Sequence, residues 1–230
     1  MRPQIDLQKK RKVVIIMDTS YFGKSYGVMV FRDWYKRENL LWKFVDYETI
    51  KQYKDGIEQL RDSGFEVVAI VADGRRGIFQ CFNPIPVQMC QFHQMQIVKR
   101  YITSKPKLQA GIELKAIVDR LTYTDEASFT GWLNAWYKIW REFLNERTIN
   151  PLTGSKNYTH SRIRSGYFSL KHNLPYLFIY QRYHELGIPN TTNSLDGTFA
   201  HIKDKVRIHR GLKRHRKEKL IEELLIKIVT

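Results

Sequence analysis

The stretch "KVVIIMDTSYF", residues 12–22, decides the fold. Val13 to Met17 form an unbroken apolar run, rich in β-branched residues, that ends on Asp18. A short apolar run of this kind reads as a buried strand. "EVVAIVADGRRG", residues 66–77, repeats the pattern and again ends on an aspartate, Asp73. Between them, "YGVMVFRDWYK" (26–36) and "NLLWKFVDY" (39–47) come with turn signals at Gly23, Gly27 and Asn39, as in an antiparallel meander. "ETIKQYKDGIEQLRDSGF" (48–65) places Ile50, Tyr53, Ile57 and Leu60 at helical spacing and closes at Gly64. With "PVQM" (86–89) as a further strand, the expectation is an α/β fold on a mixed five-stranded sheet flanked by helices.

From about Lys105 the pattern turns helical. "IELKAIVDRL" (112–121) and "DEASFTGWLNAWYKIWREFLNER" (125–147) are strongly helical, and no comparable strand signal follows them. The expected organisation is a first core part over 1–105, an all-α insertion over 106–187 with a loop around "NPLTGSKN", and a closing part over 188–230. That closing part reads as two helices, "TNSLDGTFAHIKDKVRIH" and "KRHRKEKLIEELLIKIV", separated at Gly211.

Composition narrows the class. The 230 residues are 43% hydrophobic and 13% aromatic, enough to bury a core and unlike a disordered tail. A formal charge of +16 points to a polyanionic partner, nucleic acid first, because clustered cations release counterions from phosphates. Only Cys81 and Cys90 are present, which argues against a disulfide framework and fits a reducing compartment. The cationic start "MRPQIDLQKKRK" is followed by an apolar run too short for a membrane span and lacking a cleavage pattern. A cytoplasmic protein without a membrane partner is expected.

Asp18 and Asp73 both close apolar strands, which is where open α/β sheets keep their ligands. On neighbouring strands, two carboxylates with ordinary pKa values near ~3.9 would repel, and a divalent cation best relieves that repulsion. Asp196, in "NTTNSLDGTFAHIKDK" (190–205), adds a third hard oxygen donor suited to Mg²⁺ or Mn²⁺. Two such ions about 3.5–4 Å apart support phosphodiester cleavage and strand transfer. Singly, each aspartate also fits a turn or cap, as do Asn193 and Ser194 beside Asp196. Three together in so basic a chain favour a site.

"MDTSYF", "VADGRRGI", "CQFHQMQIVKRYI", "YTHSRIRSGYFSLKHNLPYLF" and "NTTNSLDGTFAHIKDKVRIHRGLKRHRK" occur in this order over nearly the whole chain. Together they resemble bacterial insertion-sequence transposases of the branch related to Mutator-like elements. The resemblance implies an RNase H-like fold with a helical insertion before the third acid. It also implies a DDE or DDD triad holding two metal ions, carried here by Asp18, Asp73 and Asp196. Many relatives use glutamate as the third acid; aspartate is one methylene shorter and requires its helix to lie closer. DNA, both element ends and target, is the implied partner, and a homodimer or larger assembly the implied working state. A DNA-recognition domain ahead of the first acid belongs to the resemblance, yet Asp18 stands too near Met1 to leave room for one. A truncated or silent DNA-binding copy, or an RNase H-like nuclease or resolvase, therefore stays open.

The same resemblance gives a role to Lys203, seven residues after Asp196. Seven steps of about 100° return to within about 20° of the starting face, so the acid can hold metal while Lys203 and Arg207 hold the DNA backbone. Arg210, Lys213 and Arg214 extend this cationic segment, and Arg162, Arg164 and Lys171 form a second candidate DNA contact. Cys90 and His93 offer two zinc-type ligands where a structural site needs four. His160, His172 and His184 have no standard spacing to them, so a packed or hydrogen-bonding role near the active site is favoured over zinc. "GKS" at 23–25 lacks the first glycine of a phosphate loop and reads as a tight turn. Trp132, Trp136 and Trp140 form a helical stripe that reads as core.

Overall fold

A computed structural model describes residues 11–23, 25–75 and 77–227. The cationic leader, Lys24 of the "GKS" turn and Arg76 of "GRRG" lie outside the described residues. Strands β1 (Arg11–Phe22), β2 (Tyr26–Asp33) and β3 (Glu38–Val45) form the meander, followed by helix α1 (Ile50–Asp62) and strands β4 (Phe65–Ala72) and β5 (Val87–Met89). The sheet order is β3-β2-β1-β4-β5. β2 pairs antiparallel with β1 and β3, whereas β4 pairs parallel with β1 and β5. This is the mixed sheet of the RNase H-like topology.

β1 is apolar at successive positions because both faces of the sheet are covered. Val13, Ile15 and Met17 join one hydrophobic cluster with Tyr53, Ile57 and Leu60 of α1. Val14 and Ile16 point the other way, into a second cluster with Leu195, Phe199, Ile202, Ile221 and Leu225. Each such side chain contributes about 1.5–3 kcal/mol on burial. α1 starts at a capping box: Thr49 accepts from the Gln52 amide, and the Gln52 side chain accepts from the Thr49 amide.

Helices α2 (Gln91–Ile102), α3 (Gln109–Val118), α4 (Glu126–Asn145), α5 (Ser161–Leu177) and α6 (Ile179–Arg182) follow β5. Val98, Leu114, Leu133, Trp136, Tyr167 and Leu170 belong to the same cluster as Val13 and Ile70, so these helices pack onto the sheet's own core. Trp136 is the buried member of the tryptophan stripe and donates its indole N–H to Ala110 O at 3.1 Å. Trp132 is 36% exposed, and Trp140 donates to Glu113 at 2.7 Å.

The segment expected to be all-α is not. A two-stranded antiparallel hairpin, β6 (Arg147–Ile149) and β7 (Lys156–Tyr158), interrupts it where only a loop is expected. Its strands are three residues long and solvent-exposed, so they lack the buried apolar alternation that reveals strands in a sequence. The hairpin is closed by an Asx turn, with Asn150 Oδ1 accepting from Leu152 N at 2.9 Å, and by Gly154 at φ +66.

α7 (Asn193–Ile208) and α8 (Arg214–Lys227) cover the second face, separated by a turn at Gly211. Arg32 of β2, 3% exposed, fixes them from beneath: it donates to Ser194 O at 2.7 Å and to Asn39 Oδ1 at 2.8 Å. Asn39 in turn donates to Leu225 O at 2.8 Å. Among the described residues no helix is long and apolar enough to cross a membrane.

Candidate active site

The parallel pairing of β1 with β4 reaches Ile16↔Val71, so Asp18 and Asp73 each lie two residues beyond it, at the carboxyl ends of adjacent strands. Asp18 is 9% exposed. Thr192 occupies the N-cap position of α7 without a side-chain capping bond, which leaves Asp196 in the first helical turn rather than at the cap. Asn193, the first residue of that helix, points to solvent. His93 comes from the first turn of α2. Ligand atoms of Asp18, His93 and Asp196 all lie within 4.8 Å of one another.

Thus two of the three expected acids meet in one cluster and bring His93 with them, while Asp73 stands outside that trio. Asp73 is nonetheless close enough to act on Asp18 electrostatically. Burial pushes the Asp18 carboxyl up to about 7, His93 opposes this, and repulsion from Asp73 and Asp196 adds to it. A hydrogen bond with Cys90, then the charges of Cys90, Asp18 and Asp196, raise His93 to about 9 against the cost of burial. The cluster is therefore short of positive charge, and a proton or a cation relieves it.

Cys90 is buried at the N-cap of α2 and accepts from both Thr192 N and Thr192 Oγ1, each at 3.3 Å. The Thr192 hydroxyl also lies 3.4 Å from His93 Nδ1 and from Asp196 Oδ2. Next to these, Gln91 N donates to Asn190 O, and Asn190 Nδ2 to Gln91 Oε1, both at 2.9 Å. The Cys90 and His93 pair thus fastens α7 against α2. Among the described residues the only metal-type group is Asp18, His93 and Asp196, and His160 instead meets Glu146 at 2.9 Å.

A second chain of hydrogen bonds links the two strand-end acids. Thr19 N donates to Asp18 Oδ1 at 2.8 Å, and Thr19 Oγ1 lies 2.9 Å from the Tyr53 hydroxyl. Tyr53 donates to Glu48 Oε1 at 2.6 Å; Glu48 Oε2 pairs with Arg75 at 3.1 Å; Arg75 N donates to Asp73 Oδ1 at 3.3 Å. Burial raises the pKa of both Glu48 and Tyr53, Tyr53 the more strongly. Neither residue is singled out by the sequence, because Glu48 reads as part of a helix start and Tyr53 as an apolar helix position.

The candidate DNA contacts divide into two groups. Lys203, Arg207, Arg210 and Arg214 line a groove of about 520 Å³ with Tyr21, Phe22 and Tyr26. Within it Arg207 pairs with Asp204 at 3.2 Å, and Arg214 with Asp46 at 2.9 Å and Glu218 at 2.7 Å. Lys213 is exposed just ahead of α8. Arg162, Arg164 and Lys171 are instead engaged by the protein. Arg162 donates to the carbonyls of Arg100 and Tyr101 at the end of α2, at 2.9 and 2.8 Å. Arg164 donates to Asn145 at 2.8 Å and lies 3.9 Å above the Tyr158 ring, and Lys171 sits 5.8 Å over Tyr137. No family model and no curated protein matches the chain.

Proposed function

We propose that the chain is the catalytic domain of a DNA transposase that cuts phosphodiesters at element ends and joins the freed 3′-hydroxyl to target DNA, aided by a divalent cation. The observation that carries this reading is the convergence of Asp18, His93 and Asp196, from three remote stretches, within 4.8 Å. Two carboxylates and an imidazole are a donor set for a transition-metal ion such as Mn²⁺, and Asp18 and Asp196 supply the hard oxygens that Mg²⁺ prefers. A divalent ion held there supplies a lowered water pKa and offsets charge developing on the phosphate. Asp73, on the adjacent strand, adds negative charge to the same end of the sheet. Lys203 and Arg210 hold backbone phosphates alongside. Such work on DNA places the protein in the cytoplasm with the nucleoid, acting as a dimer or larger assembly.

The test is incubation with labelled DNA carrying the element ends and Mg²⁺ or Mn²⁺. Metal-dependent nicking that is lost in Asp18→Asn and Asp196→Asn is the expected result; nicking retained in either variant rejects the mechanism. Joining to a second DNA separates a transposase from a nuclease or resolvase.

One observation favours a second reading, a DNA-binding protein without catalysis. His93, held protonated up to about 9, offsets part of the acids' charge without a metal. Absence of Mn²⁺ binding at neutral pH, with DNA binding intact, selects that reading.

A further inference from the structure

α3 and α4 form a helical hairpin that carries a groove of about 350 Å³. Its lining recurs at helical spacing over 113–120 and 132–139, so it runs along both helices. The helices are antiparallel: Glu113, in the first half of α3, accepts the Trp140 indole N–H at 2.7 Å, and Arg120, just past its end, lies over the Trp132 ring at 5.5 Å.

The groove is apolar and open to solvent. Ile139 on its wall is 70% exposed, and Trp132 is exposed as well, as is Ile112 one turn before Ala116. Ala116 and Ala135 stand at its middle, where their small side chains leave room for a partner. Apolar residues left open together on one face mark a contact surface. Glu113 and Arg120 are the only charged residues of the lining, near opposite ends, about 10 Å apart at 1.5 Å per residue. Neither forms an ion pair among the described residues; the acid that pairs here is Asp119, with Lys99 and Lys115.

We propose that this face takes a second copy of the chain, hairpin against hairpin, in a four-helix arrangement. The charges select that occupant and its orientation. The midpoint between Glu113 and Arg120 lies level with the midpoint between Trp132 and Ile139, beside Ala116 and Ala135. A two-fold axis crossing both helices at this level lays α3 against α3 and α4 against α4, each antiparallel. It sets Glu113 of each copy opposite the second copy's Arg120, and Ile139 opposite its Trp132. An axis along the helices would instead lay Glu113 against the apolar end of α4 and leave both charges unpaired. The residues of α3 and α4 pack into the cluster that holds Val13, whereas α7 and α8 cover the opposite face of the sheet, so the second copy leaves the cationic groove open. The proposal gives the assembly named above a surface and does not depend on catalysis.

The test is sedimentation equilibrium of the full chain in EDTA and without DNA, at ~0.15 M salt, where the +16 charges of the copies are screened beyond about 8 Å. A reversible species of twice the 27.4 kDa chain mass is expected. Ile139→Glu places two carboxylates in the apolar contact and weakens association at least about 30-fold. Because Ile139 faces solvent in the single chain, the variant keeps the parent's circular dichroism and melting temperature. Arg120→Glu sets like charges opposite each other and weakens association about tenfold, and adding Glu113→Arg restores it. A chain still monomeric at about 100 µM overturns the proposal. So does a dimer that Ile139→Glu leaves intact, since another surface then holds it, or a charge reversal that the second substitution does not rescue. A monomer whose groove binds an apolar dye, with the dye lost in Ile139→Glu, assigns the face to a different partner and also overturns it. Failure of the metal-dependent cleavage assay leaves every one of these readouts unchanged, so the two readings fail separately.

Discussion

Thr192 gives the Cys90 sulfur two hydrogen bonds, from its backbone N–H and its hydroxyl, each 3.3 Å long. One residue of the α7 cap thereby fixes the start of that helix to the start of α2. The hydroxyl has a single proton, so it donates to Cys90 or to Asp196 while accepting from a protonated His93 Nδ1. Thr192→Val keeps the shape and the backbone bond to Cys90 and removes the hydroxyl's contacts. It should cost roughly 1–3 kcal/mol in urea unfolding, because polar groups stay buried without a partner. Nicking should fall further than stability alone explains, since Asp196 loses its orientation. Thr192→Ser should restore both.

Asp18 is held ionisable in a buried place and, secondarily, against repulsion from Asp73 and Asp196, which gives stability a definite pH dependence. Asp18 has a folded pKa of about 7 against an ordinary 3.8. A raised carboxyl pKa means the folded state binds the proton more tightly. Its contribution is complete below the ordinary pKa and is lost as pH rises to about 7. Metal-free Asp18→Asn should therefore match the parent near pH 4 and exceed it above pH 7 by roughly 2–4 kcal/mol. That is a rise in Tm of about 4–16 °C, read by thermal melts in EDTA. Adding Mn²⁺ should raise the parent and leave the variant where it was; a parent unmoved by Mn²⁺ would argue against a metal at this site.

His93 titrates in the next window. Its folded pKa near 9 lies above an ordinary 6.5, so its stabilisation is complete below 6.5 and disappears as pH rises through 9. As a metal ligand its nitrogen must first lose that proton. Mn²⁺ affinity measured by calorimetry should thus rise about tenfold per pH unit between about pH 7 and 9, with one proton released per ion, and more steeply below pH 7, where Asp18 must also lose its proton. His93→Gln should flatten this dependence. If His93 serves only as a cationic partner of the acids, the variant will instead bind Mn²⁺ more tightly at neutral pH.

Much of this core is legible in the sequence because burial on both sheet faces leaves a one-dimensional signature. Val13–Met17 and Val67–Ala72 read as strands for that reason, and their parallel pairing sets Asp18 beside Asp73. The β6–β7 hairpin is illegible because its residues, apolar Ile149 included, stay exposed and are held by turn geometry rather than burial. His93 joins the acids through the docking of α2 on α7, a tertiary contact that no local spacing encodes. The same holds for Arg162 and Arg164: their charges suggest phosphate, but helix-end carbonyls and the Tyr158 ring engage them first.

Among the described residues Arg32 has no carboxylate partner although it is 3% exposed, and burial pulls its guanidinium down to about 10. It persists because Ser194 O and Asn39 Oδ1 accept from it. Arg32→Ala leaves both acceptors and a cavity behind, and should lower stability by roughly 3–5 kcal/mol. Hydrogen exchange should quicken in the first turn of α7 and in the last turn of α8, whose Leu225 carbonyl depends on Asn39. Protection lost uniformly over the chain would mean the contact is not specific to these helices.

Gly56 sits inside α1, where alanine normally favours the helix by about 1 kcal/mol. Here an added Cβ would come within 2.2 Å of Phe31 Cζ and 2.7 Å of both ring Cε atoms. Phe31 is fully buried and meets the Tyr53 ring edge-on at 6.1 Å, so it cannot yield without moving Tyr53. Overpacking of a rigid ring typically costs about 1–3 kcal/mol, which exceeds the helix gain. Gly56→Ala should therefore destabilise the protein, and by displacing Tyr53 from Thr19 and Glu48 it should also slow nicking. Gly131 in α4, whose added Cβ would meet nothing within 4 Å, is the control. Gly131→Ala should raise stability by up to about 1 kcal/mol with nicking unchanged. Equal effects from the two substitutions would show that helix propensity, not the Phe31 contact, governs position 56.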